Sequence, residues 1–169
     1  MMKKFFEKFL LLFVILCVST TVGCGEPEYS ATASIIATNG AVTVHSDKTT
    51  VSASDLSASL YLAETVIDIL KTPDIYKDLA DALNKDMNVA SDAPNAYKFQ
   101  NLMGRAHIAR RGEDTLFIDI TFSSTDPVEA MRIANKFAEI SCEYIPEYIP
   151  HVTAKVASTA IKAAKRGIF

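Results

Sequence analysis

Thr115-Leu116-Phe117-Ile118-Asp119-Ile120-Thr121-Phe122, followed after three residues by Asp126-Pro127-Val128-Glu129-Ala130-Met131-Arg132-Ile133-Ala134-Asn135, is the stretch whose reading decides the fold. In the first segment Leu116, Ile118, Ile120 and Phe122 fall at every second position, the period of a strand with one buried side. Phe117 is left to pack at an end of the other face. The second segment changes period. Asp126 caps, Pro127 occupies the first helical position where its missing N–H costs nothing, and Glu129 is placed to bond back in a capping box. Ala130, Ile133, Ala134, Phe137, Ile140 and Tyr144 then recur at spacings of three and four, up to a break expected at Pro146. A strand that feeds an amphipathic helix needs a layered fold, with helices packed on a sheet.

Outward from this pair the pattern continues. Arg111-Gly112-Glu113-Asp114 is a short polar turn between Thr115–Phe122 and Leu102–Arg110, which together read as a β-hairpin. Asn84–Asn101 is rich in Asn, Asp and Ser, contains Pro94, and reads as a loop with room for one short helical turn. Before it, Leu56, Leu60, Ala63, Ile67 and Leu70 form the stripe of a helix that Ser54 would cap. Thr72-Pro73-Asp74 ends that helix and starts another with Ile75, Leu79 and Leu83 on its buried face. Tyr29–Thr38 alternates small apolar with hydroxyl residues as a half-buried strand, and Asn39-Gly40 breaks it. Ala41–Thr50 reads as a loop, with a short strand at Val42-Thr43-Val44 as the other reading. His151–Ala157 supplies a candidate last strand. The expected fold is α+β: a small, mostly antiparallel sheet with helices packed on one face, preceded by an N-terminal membrane segment. Its parts are an anchor at 1–25, a domain at 26–157 and a basic end at 158–169 carrying Lys162, Lys165 and Arg166.

The anchor rests on Phe9–Gly25, an apolar run preceded by Lys3, Lys4 and Lys8. Positive charge stays on the cytoplasmic side of such a segment, which puts the domain on the extracytoplasmic side of the plasma membrane. As a helix the run would be about 25 Å long, short for a membrane span. A retained span, a cleaved signal peptide and a lipoprotein anchor all fit. The last is carried by Thr21-Val22-Gly23-Cys24-Gly25, which resembles a bacterial lipobox with Thr21 in place of the usual leucine and makes Cys24 the candidate lipidation site.

Composition narrows the partners. Of 17 basic and 20 acidic residues, Lys3, Lys4, Lys8 and Glu7 belong to the N-terminal segment, which leaves 14 basic against 19 acidic for the rest and argues against nucleic acid. The three cysteines, Cys17, Cys24 and Cys142, form no metal-binding or disulfide pattern. His45, His107 and His151 are far apart, and there is no nucleophile elbow and no glycine-rich phosphate loop. No catalytic, cofactor or metal site is expected. Arg105, His107, Arg110 and Arg111 concentrate positive charge on the expected hairpin, where Arg105, Arg110 and Arg111 are candidate contacts for an acidic glycan or its lipid pyrophosphate carrier. The plainer account is a solvated face that blunts an edge strand. Asp126 and Glu129 read as capping residues. The repeat Tyr144-Ile145-Pro146-Glu147-Tyr148-Ile149-Pro150 is either a contact surface between subunits or a helix exit packed on the domain.

Several of these segments together resemble the Wzz family of polysaccharide chain-length determinants and capsular co-polymerases. They are Tyr29-Ser30-Ala31-Thr32-Ala33 after the apolar run, the helix around Tyr61–Leu70 followed by Pro73-Asp74-Ile75 and Leu79, the strand Ile118-Asp119-Ile120, and above all the Asp126–Asn135 run. The similarity spans roughly Phe9 to Val156. It implies a non-enzymatic membrane protein whose extracytoplasmic α/β domain assembles into homo-oligomers and sets the length or export of a capsular, exopolysaccharide or O-antigen chain, in contact with the polymerase or export machinery and with the glycan. The family's proline-rich segment, second membrane helix and, in some members, kinase-activating tail do not occur within Met1–Phe169, and only Asn84–Asn101 is available for its long helical hairpin, so the resemblance implies a minimal member. The alternative is a small surface lipoprotein acting as a binding or scaffold module.

Overall fold

The computed structural model describes residues 28–39, 53–113 and 115–166. The expected anchor at 1–25 with Cys24, and the stretch 41–50 with His45, fall outside them. Among the described residues the chain runs β1 (Tyr29–Asn39), α1 (Ala53–Leu70), α2 (Pro73–Asp86), α3 (Phe99–Arg105), β2 (Ala106–Arg110), β3 (Phe117–Ser124), α4 (Pro127–Tyr148), β4 (Val152–Ser158) and β5 (Ala164–Lys165). This is the expected α+β arrangement. The strands form one antiparallel sheet in the order β2-β3-β1-β4, with β5 pairing the start of β1.

Strand β1 is central, and its alternation does what the sequence dictates. Ala31, Ala33, Ile35 and Ala37 are buried beneath the helices, and their partners in β3, Phe122, Ile120 and Ile118, are buried on the same side. The small residues of β1 let α4 lie close over the middle of the sheet, while β3 supplies the bulk. The Phe122 ring meets Phe137 of α4 at 5.4 Å between centroids, and Tyr76 of α2 meets Phe137 at 5.1 Å. Burial of such rings removes more apolar surface from water than any other side chains here. The opposite face is polar: Thr32 bonds Thr121 at 2.8 Å across the β1–β3 pair, and Thr38 bonds Thr153 at 3.2 Å across β1–β4.

Several boundaries differ from the sequence reading: β3 and β4 lie one or two residues later than read, and β5 falls in the segment read only as a basic end. The segment Leu102–Arg110 is a strand only from Ala106; Leu102–Arg105 is the end of helix α3. Phe99, Leu102, Met103 and Ala106 fall at helical spacing, and all four pack on the core, which rewards a helix at this point more than a longer edge strand. Helix α1 starts at Ala53, so Ser54 lies within its first turn rather than ahead of it as a cap. Helix α2 runs on to Asp86, into the stretch from Asn84 read as loop. Helix α4 passes through Pro146 and ends at Tyr148. Pro146 removes one hydrogen bond near the helix end, and the loss is offset because Ile145 is fully buried and Tyr144 and Tyr148 stack at 4.4 Å.

Candidate functional site

At one end of the sheet β1 begins, β3 ends and β2 begins, since Tyr29 lies opposite Ser124 and Ala106 opposite Phe122. The last residue of α3 and the first turn of α4 meet there, and polar side chains converge on Glu129. Its carboxylate accepts from Arg105 Nη2 at 2.9 Å, from the Tyr97 hydroxyl at 2.7 Å and from the Ser124 hydroxyl. Arg105 Nε also donates to the Ser123 carbonyl at 2.7 Å. One turn along α4, Arg132 donates to the Tyr97 oxygen at 2.7 Å with its guanidinium over the Tyr97 ring.

The capping box expected here does not form. Asp126 caps as read, its carboxylate accepting from the Val128 N–H at 2.8 Å, but the Asp126 N–H donates to Ser124 rather than to Glu129. Glu129 turns instead to a full positive charge and two hydroxyls, which satisfy a carboxylate better than one amide. Burial pushes its carboxyl upward, yet hydrogen bonds from Ser124, Tyr97 and Arg105 and the Arg105 charge outweigh this and hold it below the usual carboxylate range. Burial and the bond to Glu129 raise the Tyr97 hydroxyl correspondingly.

The three candidate arginines separate into three places. Arg105 belongs to the Glu129 cluster. Arg110, at the end of β2, pairs with Glu64 of α1 at 3.3 Å beside an open depression of about 280 Å³ that Leu60 and Tyr61 also line. Arg111 lies over the polar sheet face, where its guanidinium grips Asp119 at 2.8 Å and the Ser34 hydroxyl at 2.5 Å, and rests 5.1 Å above the Phe117 ring. Phe117 thus takes part in the polar face through a cation–π contact. Each guanidinium already holds a carboxylate, and His107 is exposed on β2.

Among the described residues no group of three or more His, Cys, Asp or Glu side chains is arranged to hold a metal ion. Burial raises the Cys142 thiol, with Glu143 and Glu139 adding to the effect, so the reactive thiolate is disfavoured there. In the Tyr-Ile-Pro repeat Tyr144 is buried, its hydroxyl pushed up to about 12 by burial and by the bond to Tyr148, whose ring is exposed.

Two asparagines that the sequence reading passed over organise the surroundings. Asn84, buried in the last turns of α2, donates to the Tyr97 carbonyl at 3.1 Å and accepts from the Tyr97 N–H at 2.8 Å, which closes the loop 87–98 and delivers Tyr97 to Glu129. Asn135, the last residue of the Asp126–Asn135 run, treats Ala160 in the same way: its amide donates to the Ala160 carbonyl at 3.1 Å and accepts from the Ala160 N–H at 2.6 Å. The run therefore holds a cap, a start, three buried residues against the sheet (Ala130, Ile133, Ala134) and a clasp for the C-terminal segment. A buried side-chain amide that mimics a strand partner leaves no periodic signal in sequence.

No family model matches the chain. Two proteins of Staphylococcus aureus are similar to it over nearly its whole length: the capsular polysaccharide type 8 biosynthesis protein cap8A, 26% identical over 162 residues, and, from strain Newman, the capsular polysaccharide type 5 biosynthesis protein cap5A, 25% identical over 162 residues. Each match covers 94% of this chain and 66% of the relative, so the chain spans just under two thirds of the length of the curated relatives it matches.

Proposed function

We propose that this protein is a membrane-anchored component of capsular or related surface polysaccharide biosynthesis that performs no chemistry of its own and regulates the length or export of the glycan through assembly of several copies. The observation that carries the reading is the similarity to two capsule biosynthesis proteins along 94% of the chain. The geometry supports a scaffold. The polar side chains that converge do so in pairs that join elements: Arg105 and Glu129 tie α3 to α4, Arg110 and Glu64 tie β2 to α1, and Arg111, Asp119 and Ser34 tie the hairpin to β1. Each of these pairs joins two elements of the fold, the use of charge that a scaffold calls for.

In this reading Phe9–Gly25 holds the domain at the outer face of the plasma membrane, and the partners are further copies of the chain, the polymerase or export machinery, and the growing glycan. The test is deletion of the gene, restored from a plasmid, with the surface polysaccharide sized on a gel. A change in the length distribution that the plasmid reverses is the expected result. An unchanged distribution in cells that make the glycan would refute the role and favour an anchored binding lipoprotein, with Cys24 the next residue to substitute.

A further inference from the structure

The two ends of the described chain meet. Lys165 and Ala164 pair with Tyr29 and Ser30, the Arg166 N–H donates to the Glu28 carbonyl at 2.7 Å, and the Arg166 guanidinium lies 3.2 Å from the Glu28 carboxylate. Upstream, Asn135 holds Ala160 by both backbone groups. Residues 160–166 are thus fixed at both ends against the place where the N-terminal segment enters the sheet. This short clasp carries Lys162, Lys165 and Arg166, all exposed, and Ile161, 89% exposed. No acidic residue occurs from Ser158 to Phe169 in a chain whose residues after 25 are acid-rich.

Most of the exposed carboxylates of α4 lie on the far side of the Asn135–Ala160 contact. Helix α4 starts beside Ser124, and beyond Asn135, which holds Ala160, it runs on for about 20 Å, with Glu139, Glu143 and Glu147 exposed on that stretch. Asp86 at the end of α2 pairs with Lys136 at the middle of α4 while Thr72 and Asp74 at its start lie beside Tyr144, so α2 runs antiparallel to α4 and its exposed Asp78, with Asp74 paired to Lys77, lies toward the far end of α4. These acidic side chains lie beyond the clasp along α4, with Lys71 and Lys77 exposed among them.

We propose that the basic clasp is a foot that rests on an anionic bilayer surface, with Lys162 and Lys165 meeting headgroup phosphates while Arg166 keeps the clasp on Glu28. The inference rests on the anchor reading given above. Only Glu26, Pro27 and Glu28 separate Gly25 from Tyr29, and the four steps from Gly25 to Tyr29 reach about 14 Å at most, so Tyr29 stays at or just beyond the headgroup layer. Lys165, hydrogen-bonded opposite Tyr29, is therefore kept near the surface whenever Phe9–Gly25 is inserted. Ile161 offers an apolar side chain beside the same lysines. Attraction of this kind acts within about a Debye length and fixes how the domain stands on the membrane.

The test uses the full chain reconstituted into vesicles of phosphatidylcholine alone and of phosphatidylcholine with phosphatidylglycerol, with the acetylation rate of individual lysines read by mass spectrometry. An anionic surface at about −30 mV concentrates protons and lowers the free-amine fraction beside it about threefold. Lys162 and Lys165 should be acetylated about threefold more slowly in the anionic vesicles, and high salt should remove the difference. Lys155, exposed and facing Ile36 far along β1 from Tyr29, should react equally in both. Equal rates at Lys162 and Lys165 in the two vesicle types, or slow rates in both, overturn the foot. A chain that floats with neither vesicle overturns the anchor reading and the foot with it, whereas flotation with equal rates overturns the foot alone.

Discussion

Replacing Glu129 by glutamine keeps its volume and leaves an acceptor for Tyr97 and Ser124, but removes the charge that Arg105 Nη2 holds at 2.9 Å. Both side chains are mostly buried, Arg105 28% and Glu129 23% exposed. A hydrogen bond to a charged group is worth about 1.5–3 kcal/mol, and the remaining solvent access reduces it, so Glu129→Gln should cost about 1–2 kcal/mol and lower Tm by about 3–6 °C. Urea unfolding of the full chain in detergent micelles, followed by circular dichroism, measures it. The decisive comparison is a double-mutant cycle with Arg105→Met. If Glu129 acts through Arg105, the two losses overlap and the coupling is about 1 kcal/mol. A residue serving only as the far half of a capping box would lose a similar amount with Arg105 present or absent. Additive losses, with a coupling near zero, would refute the account of this cluster.

Four further outcomes follow from the same coordinates. Because Glu129 is held below its ordinary value of 4.5, its contribution to stability is present above that value and is lost as pH falls through the lowered one; the urea midpoint should fall on acidification, and less steeply in Glu129→Gln. Asn135→Ala removes both bonds to Ala160, and amide exchange at Ala160 and Ala164 should accelerate about tenfold with a stability loss of about 1–2 kcal/mol, the remainder of the fold keeping its protection. Phe137→Ala empties the position between Tyr76 and Phe122 and should cost about 3–5 kcal/mol, read as a loss of folded protein or a large drop in urea midpoint. Gly104 lies within α3 with nothing within 4 Å of an added Cβ, so Gly104→Ala should stabilise by about 0.5–1 kcal/mol in the same assay.

Elements whose pattern repeats were legible. The alternation of β1 and β3 and the stripe of α4 gave the sheet, its buried face and the helix over it, because burial on one side imposes a period that sequence records directly. Helix α3 was missed because its seven residues make barely two turns and sit ahead of a real strand, so an apolar run beginning at Leu102 looked extended throughout. Pro146 was read as a stop because local rules weigh the missing hydrogen bond and not the buried Ile145 beside it. The polar cluster was half visible. Arg105 and Glu129 were both singled out, but on separate elements and for separate reasons, and only the closure of loop 87–98 by Asn84 brings Tyr97 and the two charges together. Contacts between residues 24 apart in sequence, such as Arg105 and Glu129, depend on the tertiary path and carry no local signature.

The central claim is that this chain regulates glycan length by assembling, which makes its dose the variable to control. In a strain lacking the chromosomal gene, expression would be titrated from an inducible plasmid and the surface polysaccharide sized at each level alongside the amount of protein in the membrane. The account predicts a modal length that moves with dose and reaches a plateau once assemblies are complete. A length distribution that stays fixed at every dose, while the glycan is made and the protein accumulates, would contradict it.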